Sequence, residues 1–356
     1  MYNRPQIMKL FNTVGDFFAL DIGTSAIRVV QLSRQGNDSW MLQRYGYAPV
    51  DSRISTSDAE EDRRKLGEII LTAVGQSGIK TRNVITGIPS NKTFATVVDL
   101  PKMTPQELKT NIRYEAEQFL PMKIDEVKVD YALLGDSPVS PEKSEILITC
   151  VANEYSEPRL DMLENLGLNV VASEPDSIAM IRAILPATTT GGVLVLEIGD
   201  VSSDVVVVKD GTPRLVRSIP VGFQSLVKAA IQNLNVEAAQ AEQFILKFGL
   251  AQDRLEGQVI RAIEGTLEQF TSEIHKSIAF FQNRYTSTPV STVLISGYGA
   301  AIPLFSDYVN QKLSISSTLA NPWQKVQLQA SDKDRLSSIA TQFGVALGLA
   351  QRGKIS

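Results

Sequence analysis

The chain has little of the chemistry from which hydrolases and metalloproteins are commonly built. Its 356 residues include one cysteine, Cys150, and one histidine, His275. A lone cysteine excludes an internal disulfide framework, the pair is too small for a Cys/His zinc site, and such usage argues for a reducing compartment. A Ser-His-Asp mechanism would have to use His275, which follows Ile274 in a helix-like stretch far from any nucleophile turn. No apolar run reaches the ~18 residues that a membrane-spanning helix needs. The start also lacks the basic and apolar regions of a secretory signal. The expectation is therefore a cytoplasmic or cytoplasm-facing protein. Charge of one sign is scarce too: the net charge of -4 comes from mixed signs, which leaves no electrostatic footprint for nucleic acid.

What is present is enough chain for a large core, arranged as two domains or one bilobal molecule. Near the start, Ile7, Leu10, Phe11 and Val14 recur at helical spacing. With only Arg4 and Lys9 on its polar side, this segment reads as a helix packed on its own domain, or a frayed end, before it reads as a membrane foot. Strands are expected at 17–32 (two, around a Gly turn), 39–50, 83–89 and 92–101. A helix is expected near 58–75. Thr104, Pro105 and Glu107 spell a capping box that opens a helix ending at Leu120-Pro121. Further strands at 125–135 and 145–152 and a helix at 157–167 complete a small α+β module inserted at 86–162. A strand at 167–175 and a helix to Leu185 lead to a second strand-turn-strand-strand unit at 193–198, 203–209 and 213–219. Helices are then expected near 222–233, 236–248, 253–285, 300–312 and 335–351, with a strand at 291–296. The series Ile263, Leu267, Phe270, Ile274, Ile278 and Phe281 is a core or interface stripe, and Cys150 lies in an apolar strand.

Two segments carry the chemistry. "LDIGTSAIRVVQL" (20–32) and "LEIGDVSSDVVVV" (196–208) each place a carboxylate at a strand end, then Gly, small hydroxyl residues and another strand. Two such turns in corresponding places of two halves can hold a triphosphate from both sides, because glycine lets backbone N–H groups approach phosphate oxygens. Asp21 and Glu197 would then hold a divalent cation, largely through water. Glu174 falls at a strand-helix junction, Glu242 on a helix within "AAQAEQFILKFG", and Gly297-Tyr298-Gly299 joins a strand to a helix. Bare backbone there would let a nucleotide's sugar and α-phosphate lie close.

The order of these pieces resembles the actin-like ATPase superfamily. The insert narrows the resemblance to the FtsA and PilM group, whose small α+β subdomain is called 1C. "LPKMTPQELKTNIRYEAEQFLPMKIDEVKVDYALLG" (100–135) is similar to the type IV pilus assembly protein PilM family, as is "LDIGTSAIRVVQL". The resemblance covers about residues 15–351. It implies an α/β, bilobal actin-like fold with two duplicated RNase H-like lobes around a nucleotide cleft. Lobe I would comprise 15–85, 163–190 and 335–351, the 1C insert 86–162, and lobe II 191–334 with a helical part at 222–288.

By the same resemblance Asp21, Gly23, Thr24 and Ser25 form the phosphate-1 loop. Glu197, Gly199, Asp200, Ser202, Ser203 and Asp204 form phosphate-2, and Gly297, Gly299 and Ala300 the adenosine motif. Glu174 would position water, and Glu242 would lie beside the nucleoside. The implied cofactors are ATP and Mg2+, with at most slow hydrolysis. The implied partner is the N-terminal cytoplasmic tail of a PilN-like inner-membrane protein, docked between subdomains 1A and 1C, with Phe119 and Met122 as candidate contacts. Other pilus platform proteins, a homo-oligomer or ring, and membrane association through the partner at the inner face of the cytoplasmic membrane also follow from it. The family usually has Asp at Glu197, Gly at Asp200 and a basic residue at Ile245, which predicts weak nucleotide binding; Lys247 is one turn's-length candidate to replace the missing base. An FtsA-like division filament protein and an actin-fold small-molecule kinase remain the alternatives.

Overall fold

The first strand, β1 (Phe18–Ile22), is buried along nearly its whole length, as a strand with neighbours on both sides and layers on both faces must be. The computed structural model describes residues 16–36, 38–336 and 339–352, so the spacing at 4–14 lies outside them. The chain divides into two units, Met1–Arg182 with Val345–Ser356, and Ala183–Gly344.

In the first unit β1 is followed by β2 (Ala26–Gly36), β3 (Ser39–Pro49), the short α1 (Ser52–Ser55), α2 (Glu60–Ser77) and β4 (Asn83–Ile88). Then come β5 (Thr93–Pro101), α3 (Pro105–Glu117), β6 (Val127–Asp136), β7 (Lys143–Ala152), α4 (Asn153–Asn165), β8 (Asn169–Pro175) and α5 (Asp176–Ile184). One sheet runs β3-β2-β1-β4-β8, antiparallel from β3 to β1 and parallel from β1 to β8. Leu66, Ile70, Ala73 and Val74 of α2 form the apolar stripe that covers it.

The insert is a three-stranded antiparallel sheet, β5-β7-β6. Helix α3 opens with the expected Thr104–Glu107 capping box and packs Leu108, Ile112 and Ala116 on Val98, Leu100, Ile146 and Ile148. Cys150 is buried in β7, where burial pushes its thiol pKa up. Helix α4 sends Met162 and Leu163 into the core of the larger sheet. Where the insert meets that sheet, the Arg159 guanidinium lies 4.1 Å from the Tyr155 ring and pairs with Asp58, and Lys92 lies 5.2 Å from the same ring. Burial pushes the Tyr155 hydroxyl up to about 12.

The second unit repeats the sheet plan. It contains β9 (Gly192–Ile198), β10 (Ser203–Lys209), β11 (Thr212–Ile219), α6 (Phe223–Leu234), α7 (Ala238–Phe248), α8 (Gln258–Arg284), β12 (Val290–Gly297), α9 (Phe305–Leu313), β13 (Ser316–Leu319) and α10 (Ala330–Leu336). Its sheet order, β11-β10-β9-β12-β13, matches the first with the same alternation of antiparallel and parallel pairs. The duplicated lobe is thus real at the level of topology. Val259, Ile263, Leu267, Phe270, Ile274, Ile278 and Phe281 make one buried stripe along α8, and His275 is exposed beside the Lys312 carbonyl.

Three helices begin or break where the periodicity did not say. Leu255 and Glu256 take left-handed backbone, so α8 starts only at Gln258. Leu304 does the same at φ 60°, which splits the expected helix at 300–312 into a turn at Tyr298–Ala300 and α9. The expected helix at 335–351 is α10, a 3-10 turn at Ala340–Phe343, and α11 (Gly344–Ala350). From Val345 onward α11 belongs to the first unit, where Gly348 touches the backbone of Ala179 on α5 so closely that no Cβ would fit.

Candidate nucleotide site

Both units place their candidate residues at the carboxyl ends of parallel strands, where open α/β sheets bind ligands. In the first unit these ends are Asp21 of β1 and Glu174 of β8. Asp21 is 4% exposed and sits directly opposite Arg28 on β2. Arg28 Nη1 donates to Asp21 Oδ2 at 3.3 Å and to the Ala26 carbonyl at 3.4 Å. Burial pushes the Asp21 pKa up, and the Arg28 charge partly restrains that rise. The Gly23 amide closes the turn onto the Ala26 carbonyl, and a Cβ on Gly23 would come within 2.7 Å of Arg28 Nη1. The Thr24 carbonyl accepts from Ser55 Oγ and the Ser25 carbonyl from the Val50 amide, which fixes the loop from behind.

Arg28 is the side chain at this turn that sequence reasoning missed. Its signal was there, since a tight hairpin pairs Asp21 with the residue seven positions on. It brings a fixed positive charge to a turn whose form suits an anion.

Glu174 is 8% exposed, and its two oxygens accept from Arg182 Nη1 at 2.6 Å and Nη2 at 2.9 Å. Arg352 Nη1 is 3.5 Å from Oε2, and Arg182 Nη1 also donates to the Gly348 carbonyl at 2.7 Å. This bidentate pair ties β8, α5 and α11 together. The pair braces β8 against α5, and each Glu174 oxygen keeps a further lone pair beyond the one that accepts from Arg182.

In the second unit, Glu197 near the end of β9 lies opposite Asp204 of β10 and Ser296 of β12. The Gly199 amide donates to the Ser202 carbonyl, and Ser203 Oγ donates to the Val221 carbonyl at 2.6 Å. The first amides of α6, at Phe223 and Gln224, take the carbonyls of Gly199 and Asp200. Beside this loop Gly297, at φ 64°, lies so tightly on the Ile198 carbonyl that a side chain would not fit. Gly299 is packed on Ile198 and Ile295, with Ala300 ending the same turn. Tyr298 between the glycines stacks on Phe223 at 4.3 Å. The structure therefore brings the loops after β9 and β12 together against the start of α6.

Asp200 turns toward the helices. Gln224 Nε2 donates to Asp200 Oδ1 at 3.2 Å and to Glu242 Oε1 at 3.3 Å, so one amide serves two carboxylates. Burial raises the Asp200 pKa, and the Glu242 charge adds to the rise. Ile245, at the position expected to be basic, is fully buried in the core, and the Lys247 ammonium lies 5.4 Å from the Phe248 ring. Among the described residues no three carboxylate, Cys or His side chains gather as a metal cage.

The type IV pilus assembly protein PilM family matches residues 19–354. The chain belongs to the PilM family. It is a type IV pilus assembly protein with an actin-like fold. It resembles the solved PilM-PilN type IV pilus biogenesis complex at 24% identity and TM-score 0.81, over 95% of this chain and 98% of that one. The ethanolamine utilization protein EutJ of Carboxydothermus hydrogenoformans matches at 16% identity and TM-score 0.52, over 94% of this chain and 89% of that one. MreB5 of Spiroplasma citri, solved with ADP, matches at 12% identity and TM-score 0.54, over 93% and 94%. No helix among the described residues of this PilM-family chain is long and apolar enough to cross a membrane.

In the turn after α3, the two candidate partner contacts, Phe119 and Met122, are each 37% exposed, while Leu120 between them packs on the insert core.

Proposed function

We propose that this chain is a cytoplasmic, ATP-binding scaffold of the pilus assembly platform, held at the inner face of the cytoplasmic membrane by the tail of a PilN-like protein. The observation that carries the partner is the likeness, over nearly the full length of both chains, to a PilM solved with PilN. The exposed pair Phe119 and Met122 on the insert suits an extended tail whose apolar residues enter a groove.

The turn at Gly23, with the Arg28 cation beside it, is assigned to a nucleotide phosphate and the turn at Tyr298–Ala300 to the nucleoside; Arg28 and Ala26 at Gly23, and Ile198 at Gly297, fill the space a side chain would need. Asp21 and Glu197 are assigned to the water shell of Mg2+, and Gly23, Thr24, Ser25, Gly199, Ser202 and Ser203 to phosphate contact. Bound ATP-Mg would supply a charged brace, and the grip of Arg182 on Glu174 favours a binding protein over a fast ATPase. Phe119→Asp and Met122→Asp are expected to abolish co-purification of the membrane partner while ATP affinity stays within about twofold. Partner binding that survives both substitutions would place the docking surface elsewhere.

A further inference from the structure

A second, basic site lies in the first unit, away from the strand ends that carry Asp21 and Glu174. A concave pocket of about 590 Å³ opens beside the β2–β3 hairpin, lined by Arg34, Arg44, Lys80, Trp40, Asp16 and Thr81 among others. All three cations are exposed. Arg34 Nε donates to the Gly36 carbonyl and its guanidinium lies 6.0 Å from the Trp40 ring; Arg44 donates to the Gln43 carbonyl. Among the described residues none of the three is in an ion pair. Asp16 is the one acidic residue of the lining, in a chain whose net charge is -4. Unpaired cations concentrated in a concavity, against the sign of the whole molecule, mark a site for an anion.

The rim says which anion. Asp16 lines the pocket, and the fifteen residues before it in the sequence carry Ile7, Leu10, Phe11 and Val14 with Arg4, Lys9 and no acid. Arg4 and Lys9 alone are too few cations for a charged bilayer, and the pocket lining adds Arg34, Arg44 and Lys80. We infer that Arg34, Arg44 and Lys80 bind anionic phospholipid headgroups of the membrane surface, giving the protein a direct lipid contact independent of its protein partner. A cation near an anionic surface is worth about fivefold in partitioning, so three contribute about a hundredfold.

The test is sedimentation of the full-length protein with phosphatidylcholine vesicles, alone or with about 30% phosphatidylglycerol, without any partner present. Binding is expected to the anionic vesicles only. The variant Arg34→Gln/Arg44→Gln/Lys80→Gln should bind about a hundredfold more weakly with an unchanged melting curve, since the three side chains are exposed. Anionic-vesicle binding that the triple variant retains, or that only Leu10→Asp/Phe11→Asp removes, would overturn the assignment. Millimolar inorganic phosphate that displaces the vesicles would overturn it in favour of a soluble phosphate compound. Because no partner is used, a negative result leaves the docking proposal to its own test.

Discussion

Removing the charge of Asp200 should strengthen ATP binding, and the structure allows the size of the gain to be worked out. A carboxylate ~5 Å from one phosphate charge costs about 3 kcal/mol at an effective dielectric near 20, and about 2 kcal/mol at ~8 Å. Asp200 is turned toward Gln224 and Glu242, which argues for the longer separation. Asp200→Asn should therefore raise ATP-Mg affinity by about thirtyfold, because every 1.4 kcal/mol is a factor of ten. Asparagine keeps an oxygen for Gln224 Nε2, so the loop itself should hold. The pH dependence has a definite sign. Burial raises the Asp200 pKa above the usual Asp value, so the wild type takes up this proton earlier than a free carboxyl as pH falls. The gap between wild type and variant should then be widest at neutral pH and narrow as the buffer is acidified. Titration calorimetry with ATP-Mg on both proteins at the two pH values measures it. Equal affinities at neutral pH, or a gap that widens on acidification, would refute the charge argument. The same raised pKa predicts that Asp200→Asn melts slightly higher than wild type at neutral pH, since the native state then no longer holds a half-buried charge.

Asp21→Asn should lower the melting temperature by roughly 4–8 °C without nucleotide, since Arg28 loses its buried counter-charge at about 2 kcal/mol. Adding Arg28→Met should recover part of the loss, and an unchanged melt would show that the pair is not structural. Glu174→Gln should lower thermal stability through the lost grip on Arg182 and leave any slow ATP turnover unchanged. A selective loss of turnover would return Glu174 to water positioning. Gly348→Val should destabilise by about 1–3 kcal/mol, because its side chain would enter the backbone of Ala179, and denaturant unfolding reads this directly.

The strand-turn-strand repeats were legible because β1 and β9 are buried centre strands with carboxylate-Gly turns after them. The α8 stripe and the Thr104 capping box were legible for the same reason, being local patterns that tertiary packing did not override. Helix ends at Gln258 and Phe305 were not, since Leu255, Glu256 and Leu304 occupy left-handed backbone that nothing in a leucine or glutamate announces. Side-chain partners were least legible. Arg28 opposite Asp21 needed the hairpin register, and Arg182 on Glu174 needed the packing of α5 beside β8. Gln224 between Asp200 and Glu242 joins residues 18 and 24 positions apart, a meeting that only the fold brings about.

In the proposed assembly, the insert of this pilus assembly protein holds the cytoplasmic tail of a PilN-like membrane protein. Its most direct test is titration of a synthetic peptide of that tail, from the same genome, into the full-length chain with ATP-Mg present. Saturable one-to-one binding is expected, weakened at least tenfold by Phe119→Asp while the ATP affinity of the variant is preserved. An absence of binding to wild type, or equal binding to wild type, Phe119→Asp and Met122→Asp, would contradict it.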